Sequence, residues 1–540
     1  DDLDKHIANA IYVTGAPLSM LEHPLCQKVF AACRPVYKIP TRSSLSSTLL
    51  ESQYSEMKKK VSEIVLSAPH LHLQCDGWTN IRNNGIMNFI LSTPRPVFVK
   101  SVATGQNRHT AEYITDEINK VLIEFNPMKF VTLIGDNAAN VQKSFMLLKN
   151  VYPHLVPLNC LAHSINLLFN DIVSLESLVK LKSDSLSIVK SINRSQILKT
   201  CLENINKEQN ILCSLKLPSS TRWATVREPT LSAFIKKLLL DDSGFWENVD
   251  KCINLLKPMV KCITLLESDS PNIHKVYKYI MENEICLNKS TDSSLLSIAD
   301  SSKMCVNFQR RKVNMIKPLH LAATVLDPCD QGSSLTPEEY IDASEFIYNI
   351  SMNRGLNANI IMAELANYKT KSTGVWLKSY LWESSNLMEP LVWWNGLCSF
   401  SVLSSIATSI LTAPSTSAAT ERSFSTYGNI HTKKRNKLTC DRAGKITYIS
   451  HNWKLINNNP KPKAIKLISA SSTLTTTSQE LNDMPMNIDA NEYETVEDED
   501  NSDDESYEIP YADDETSDCG SETEAEVEYL TYDDLETQNT

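Results

Sequence analysis

The chain has 540 residues, 42% apolar and 22% charged, enough to bury more than one core. No run of about 18 consecutive apolar residues occurs, which argues against a membrane-spanning helix, and the 14 cysteines include no Cys-x-x-Cys pair, which argues against a disulfide framework and a zinc ribbon. The net charge of −11 conceals two objects: residues 484–540 hold 22 Asp and Glu and no Lys or Arg, leaving 42 acids against 53 bases, a net +11, in residues 1–483. A basic body suits a polyanion.

The sequence opens at Asp1 without a signal-peptide pattern, and residues upstream are expected. Residues 1–68 read as helical, with "IPTRSSLSSTLLESQYSEMKKKVSEIV" giving a polar start followed by helix-like spacing. From 69 to 175 the period changes. "LHLQCD" alternates Leu71, Leu73 and Cys75 as a strand ending at Asp76 should, and "GIMNFILST" and "PVFVKSVA" supply two more strands joined by short turns. "TAEYITDEINKVLIEF" is an amphipathic helix opened by Thr110. Then come a strand in "KFVTLIGD", a helix in "NVQKSFMLLKNV", a short strand in "HLVPLNC" and a helix in "AHSINLLFNDIV".

The order β-β-β-α-β-α-β-α predicts a mixed sheet with helices on its faces, the pattern of an α/β ribonuclease-H-like core. In that topology the first and fourth strands are parallel neighbours, and Asp76 and Asp136 face each other from the strands' carboxyl ends. Residues 176–400 read as an all-α insertion, and 401–456 as another helical stretch rich in small residues and then bases. Residues 457–483 read as a linker, and 484–540 as a disordered acidic tail.

A carboxylate at the end of a buried strand is costly unless it is paired or binds something. Two carboxylates on adjacent strands with a third acid can hold a pair of divalent ions for phosphoryl transfer, and Mg²⁺ or Mn²⁺ fits oxygen ligands of this kind. The candidate third acid is Glu421, on a helix opened by Pro414 and Ser415.

The set "CDGWTN" (75–80), "GDNAANV" (135–141), "NCLAHSINLL" (159–168), "TRWAT" (221–225), "LAATVLDP" (321–328), "WW" (393–394) and "PSTSAATERSFSTYGNIHTKKRNKL" (414–438) resembles the hAT superfamily of DNA transposases, in the branch whose core begins Cys-Asp-Gly-Trp-Thr. The motifs occur in family order over residues 20–455. The resemblance implies a ribonuclease-H-like catalytic domain interrupted by a helical insertion, and a C-terminal dimerisation region that includes the last core helix. It assigns Asp76, Asp136 and Glu421 to an Asp-Asp-Glu metal-binding triad for Mg²⁺ or Mn²⁺. Cys160 and His163 match the family's Cys-x-x-His motif and are expected among the DNA-binding residues, and Arg222 and Trp223 match a pair associated with an extruded base at the transposon end. An indole can stack on an exposed base, and a guanidinium can grip a phosphate bidentately. Lys433, Lys434 and Arg435, directly after the catalytic helix, suit phosphate contacts.

The implied activity is cut-and-paste transposition on DNA in the nucleus by at least a dimer, with no membrane partner. Two alternatives stand beside it: a domesticated or decayed copy that binds DNA and dimerises without cutting, and a plain ribonuclease-H-like nuclease. Many family members carry a BED-type zinc finger, and these residues contain no matching Cys/His set. Trp393 and Trp394 read as packing in the insertion or dimer interface rather than as a base platform. The apolar stretch beginning there needs covering, by a second copy or by the insertion itself.

Overall fold

The computed structural model describes residues 2–105, 107, 109–208, 244–290, 294–432 and 438–457. Four helices lead: α1 (Asp2–Thr14), α2 (Pro24–Cys33), α3 (Arg42–Ser46) and α4 (Thr48–Ser67). Then come β1 (Leu71–Thr79), β2 (Gly85–Ser92), β3 (Pro96–Ala103), α5 (Ala111–Glu124), β4 (Phe130–Gly135), α6 (Ala139–Val151), β5 (Val156–Asn159) and α7 (Leu161–Val173). Every strand and helix expected in this stretch is present, in the expected order. Thr110 caps α5 by accepting from the Tyr113 N–H at 3.3 Å.

The five strands form one mixed sheet in the order β3-β2-β1-β4-β5. The two hairpins make β1/β2 and β2/β3 antiparallel, whereas β1/β4 and β4/β5 are parallel. β1 is therefore central, and here the expected alternation gives way. His72 and Gln74, on the polar positions of the strand, are as buried as Leu71 and Leu73. Their polar atoms are matched to side chains: His72 Nδ1 lies 2.9 Å from Thr132 Oγ1 and Nε2 3.0 Å from Thr412 Oγ1, and Gln74 Nε2 donates to Ser92 Oγ at 2.9 Å. β1 also runs past Asp76 to Thr79, because β2 keeps pairing with it after β4 has ended.

The rest of the described chain is helical: α8 (Glu176–Arg194), α9 (Gln196–Glu208), α10 (Phe245–Leu266), α11 (Val276–Ser290), α12 (Ile298–Met315), α13 (Pro318–Val325), α14 (Pro337–Asn353), α15 (Ala358–Thr370), α16 (Ser379–Glu383), α17 (Pro390–Leu397), α18 (Val402–Leu411), α19 (Ala418–Ile430) and α20 (Cys440–Asn457). One core joins α1, α4, α5, α6 and α20 to the sheet, and a second joins α7, through Val131, Ile134 and Leu158, to α10–α15, α17 and α18. α20 covers β3, whose outer edge would otherwise offer unpaired backbone groups. The Asn452 amide closes that edge, accepting from Phe98 N–H at 3.0 Å and donating to Phe98 C=O at 2.8 Å.

Trp393 and Trp394 are fully buried among Tyr368, Trp376 and Trp382, and their indole N–H groups donate to the carbonyls of Leu381 and Leu326, both at 2.8 Å. They are packing within the chain. The apolar α18 that follows is likewise covered by the chain itself, with Leu403, Ile406, Ala407 and Ile410 inaccessible. The expected linker and acidic tail lie outside the described residues. Among the described residues no helix is long and apolar enough to cross a membrane.

Candidate functional site

Two acids are placed by the sheet. The β1/β4 register ends at Gln74 opposite Ile134, so Asp76 and Asp136 each stand two residues beyond the last pair. Gly135 allows the turn into α6 to fold this tightly. A Cβ there would lie 2.8 Å from Val141 Cγ1, 2.9 Å from Phe145 Cζ and 3.3 Å from the Cys75 carbonyl. Asp136 shapes the same turn, its Oδ1 accepting from the Ala138 N–H at 3.2 Å and its carbonyl from Gln142 Nε2 at 2.7 Å. Asp76 Oδ1 accepts from the Gly77 N–H at 2.7 Å.

The third acid arrives from 285 residues further along, in the first turn of α19. Three sets of contacts hold that helix. On the sheet side, Trp78 stacks on Phe424, ring centroids 5.7 Å apart, and meets Tyr427 edge-on at 5.8 Å. Asn88 Nδ2, from the residue paired with Asp76 across β1/β2, donates to Ser423 Oγ at 2.8 Å. On the α7 side, the Ser417 N–H points to Cys160 Sγ at 3.4 Å and the Leu161 N–H donates to the Ser415 carbonyl at 3.3 Å. On the insertion side, Ser415 Oγ bonds Asn272 Oδ1 at 2.8 Å, Thr416 Oγ1 reaches the Leu266 carbonyl at 3.3 Å, and Arg422 grips the Glu267 carbonyl at 2.9 Å and the Asp269 carboxylate. The small residues of "PSTSAAT" follow from this crowding, since Ser415, Thr416, Ser417, Ala418, Ala419 and Thr420 are all buried.

The electrostatics converge on Asp76. Burial, then the charge of Asp136 and more weakly that of Glu421, push its carboxyl up to about 7, against a smaller opposing effect of the Gly77 hydrogen bond. The charges of Asp136 and Glu421 thus both act on the half-buried Asp76 carboxyl. Among the described residues no three His, Cys, Asp or Glu side chains are gathered tightly enough to hold a metal ion. The donor set, all carboxylate oxygen, is that of hard divalent cations.

The other expected contact residues divide. Cys160 is fully buried, burial keeps its thiol neutral, and its sulfur is used inside the protein. Its burial argues against the expected contact with DNA, and its sulfur serves instead to tether the approach to α19. His163 is exposed on the first turn of α7. Arg222, Trp223, Lys433, Lys434 and Arg435 lie outside the described residues. Trp78, Asn88, Ser423 and Asn272 were not singled out in the sequence, although Trp78 lies inside "CDGWTN" and Asn88 is the lone amide in the apolar run "GIMNFILS". A polar residue inside a buried strand is the signal that could have found it.

Residues 367–453 match the family model described as the hAT family C-terminal dimerisation region. Residues 40–207 match a domain of unknown function, DUF659. No curated protein matches the chain. The first match supports a transposase of the hAT family and the association of copies of the chain with one another. It begins inside the segment expected as insertion and takes in the buried tryptophans as well as α19.

Proposed function

We propose that the chain is a cut-and-paste DNA transposase of the hAT type, with Asp76, Asp136 and Glu421 as the ligands of two Mg²⁺ or Mn²⁺ ions. The observation that carries this reading is the placement of Asp76 and Asp136 just beyond the paired ends of two adjacent parallel strands, with the charge of Glu421, from the first turn of α19, also acting on Asp76. The strand order β3-β2-β1-β4-β5 with its parallel β1/β4 pair supports a ribonuclease-H-like core, and the match over 367–453 supports the family. Bound divalent ions would supply activation of the attacking oxygen and stabilisation of the leaving one in displacement at phosphorus.

The chain's own residues do the positioning. β1 and β4 fix Asp76 and Asp136, and the Gly135 turn keeps Asp136 at the sheet's rim. Trp78 and Asn88 seat α19 on the sheet so that Glu421 completes the set. Arg422, next to it, is spent on the insertion rather than on substrate. Arg222 and Trp223 are proposed to hold the transposon end, and Lys433, Lys434, Arg435 and the exposed His163 to contact the phosphate backbone. The net +11 of residues 1–483 suits both strands of the partner. DNA as partner implies residence in the nucleus.

The experiment is cleavage of duplex DNA bearing the parent element's ends in Mg²⁺ or Mn²⁺, comparing the wild type with Glu421→Gln. Metal-dependent cleavage that is lost in the variant while DNA binding survives supports the reading. Wild-type protein that binds DNA as a dimer and never cuts it supports the domesticated alternative.

A further inference from the structure

We propose that Asn88 is a positioning residue for the acidic site: its hydrogen bond to Ser423 fixes the rotation of α19 and so sets Glu421 against Asp76. The inference rests on the reading of the three acids as a metal site. Asn88 pairs directly with Asp76 across the antiparallel β1/β2 ladder, and residues opposite one another in such a ladder project from the same face of the sheet. That face receives α19. Asn88 and Ser423 are both fully buried, and Asn88 Nδ2 donates to Ser423 Oγ at 2.8 Å. The Ser423 hydroxyl gives its own proton to the Thr420 carbonyl at 2.6 Å, which leaves its lone pairs for the amide. The bond therefore lands on the helical turn that contains Glu421.

The aromatic contacts cannot do the same work. Trp78 meets Phe424 and Tyr427, which fixes how closely α19 approaches the sheet, but ring contacts tolerate sliding. A directional bond between two buried polar groups does not. Side-chain atoms stand roughly 5–6 Å from a helix axis, so a turn of about 10° displaces the Glu421 carboxylate by about 1 Å, a misplacement that can cost roughly 100-fold in rate. Asn88 Oδ1 is buried and finds no donor among the described residues. A serine at 88 would leave no such orphan, so the amide is retained at a cost, as is common at functional sites.

The test uses the full chain. Mn²⁺ binding is measured by electron paramagnetic resonance, and cleavage of end-bearing DNA is followed for kcat and KM, in the wild type, Asn88→Ala, Ser423→Ala and Glu421→Gln. Expected for Asn88→Ala is Mn²⁺ affinity about tenfold weaker and kcat about 10–100-fold lower, the range for residues that orient metal ligands, with KM for DNA unchanged. Ser423→Ala, which removes one oxygen, should show the same pattern and carries the test if Asn88→Ala fails to fold. The exchanged pair Asn88→Ser with Ser423→Asn should recover most of the loss. Wild-type Mn²⁺ affinity and kcat in both single variants, with Glu421→Gln defective, would overturn the inference alone. Undiminished Mn²⁺ binding in Glu421→Gln would overturn the metal-site reading and the inference with it.

Discussion

The indole of Trp78 stacks on Phe424 with ring centroids 5.7 Å apart and planes inclined at 29°. This contact, with the edge-on one to Tyr427, joins the strand that carries Asp76 to the helix that carries Glu421, across 346 residues of sequence from Trp78 to Phe424. It explains why a tryptophan follows two residues after the first acid: positions two apart on a strand share a face, and the face that presents Asp76 must also seat α19.

Replacing that ring loosens both the fold and the site. Trp78 is only partly buried, so Trp78→Ala should cost about 2–3 kcal/mol, at or below the low end for large aromatic deletions, and Trp78→Phe about half as much. Chemical denaturation reads the stability, and Mn²⁺ affinity should fall in the same order. Equal affinity in all three proteins would separate Trp78 from the site.

Asp76 should be a destabilising residue in the absence of divalent ions. Its carboxyl is raised from 3.8 to about 7 in the folded chain, so the unfolded chain gives up its proton first as pH rises. The penalty is absent below about pH 3.8, grows through the interval and is complete above about 7. In EDTA at pH 8, Asp76→Asn should therefore be more stable than wild type by about 1–2 kcal/mol, discounting for partial solvent access. The advantage should shrink towards pH 5, and excess Mn²⁺ should favour the wild type instead. A less stable Asp76→Asn at pH 8 in EDTA contradicts the crowding of the three acids.

Two of the buried histidines show how acid weakens the fold. His72, near His70 and Arg354, lies well below its usual pKa because of burial, and burial with Lys317 nearby takes His320 to about 3. Both are neutral when folded and take up protons when unfolded. Their contribution is whole above about pH 6.5 and is lost as pH falls below it. Each should forfeit about 1.4 kcal/mol by pH 5.5. Denaturant titrations at pH 7.0 and 5.5 should show that loss, and His320→Gln should show a shallower fall. An identical pH slope in the variant would rule His320 out.

Trp394 separates packing from association. Its N–H donates to the Leu326 carbonyl at 2.8 Å in a fully buried site, so Trp394→Phe should leave that carbonyl unpaired and cost about 1–3 kcal/mol. Sedimentation should report the wild-type association state. A variant of unchanged stability but weakened association would place Trp394 at an interface between copies.

Much of this architecture was legible in the sequence because the stretch from 69 to 175 changes period cleanly: Leu71, Leu73 and Cys75 alternate, and Thr110 caps. The two acids on the sheet followed from that order alone. Glu421 did not, because its position depends on contacts made from elsewhere in the chain, by Asn88, Cys160 and Asn272, and no local period encodes these. The polar residues of β1 misled for a related reason: His72 and Gln74 look solvent-facing until Thr412, just past the end of α18, and Ser92 of β2 become their partners. Cys160 read as a surface contact residue because its spacing to His163 is visible while the Ser417 amide that occupies its sulfur is not.

The most direct measurement is a calorimetric Mn²⁺ titration of the full chain beside Asp76→Asn, Asp136→Asn and Glu421→Gln. If the three carboxylates make one site, the wild type binds Mn²⁺ and each variant loses at least tenfold in affinity, because each removes one of the charges that draw the ion in. Binding that is absent in the wild type, or equal in all four proteins, would contradict the account.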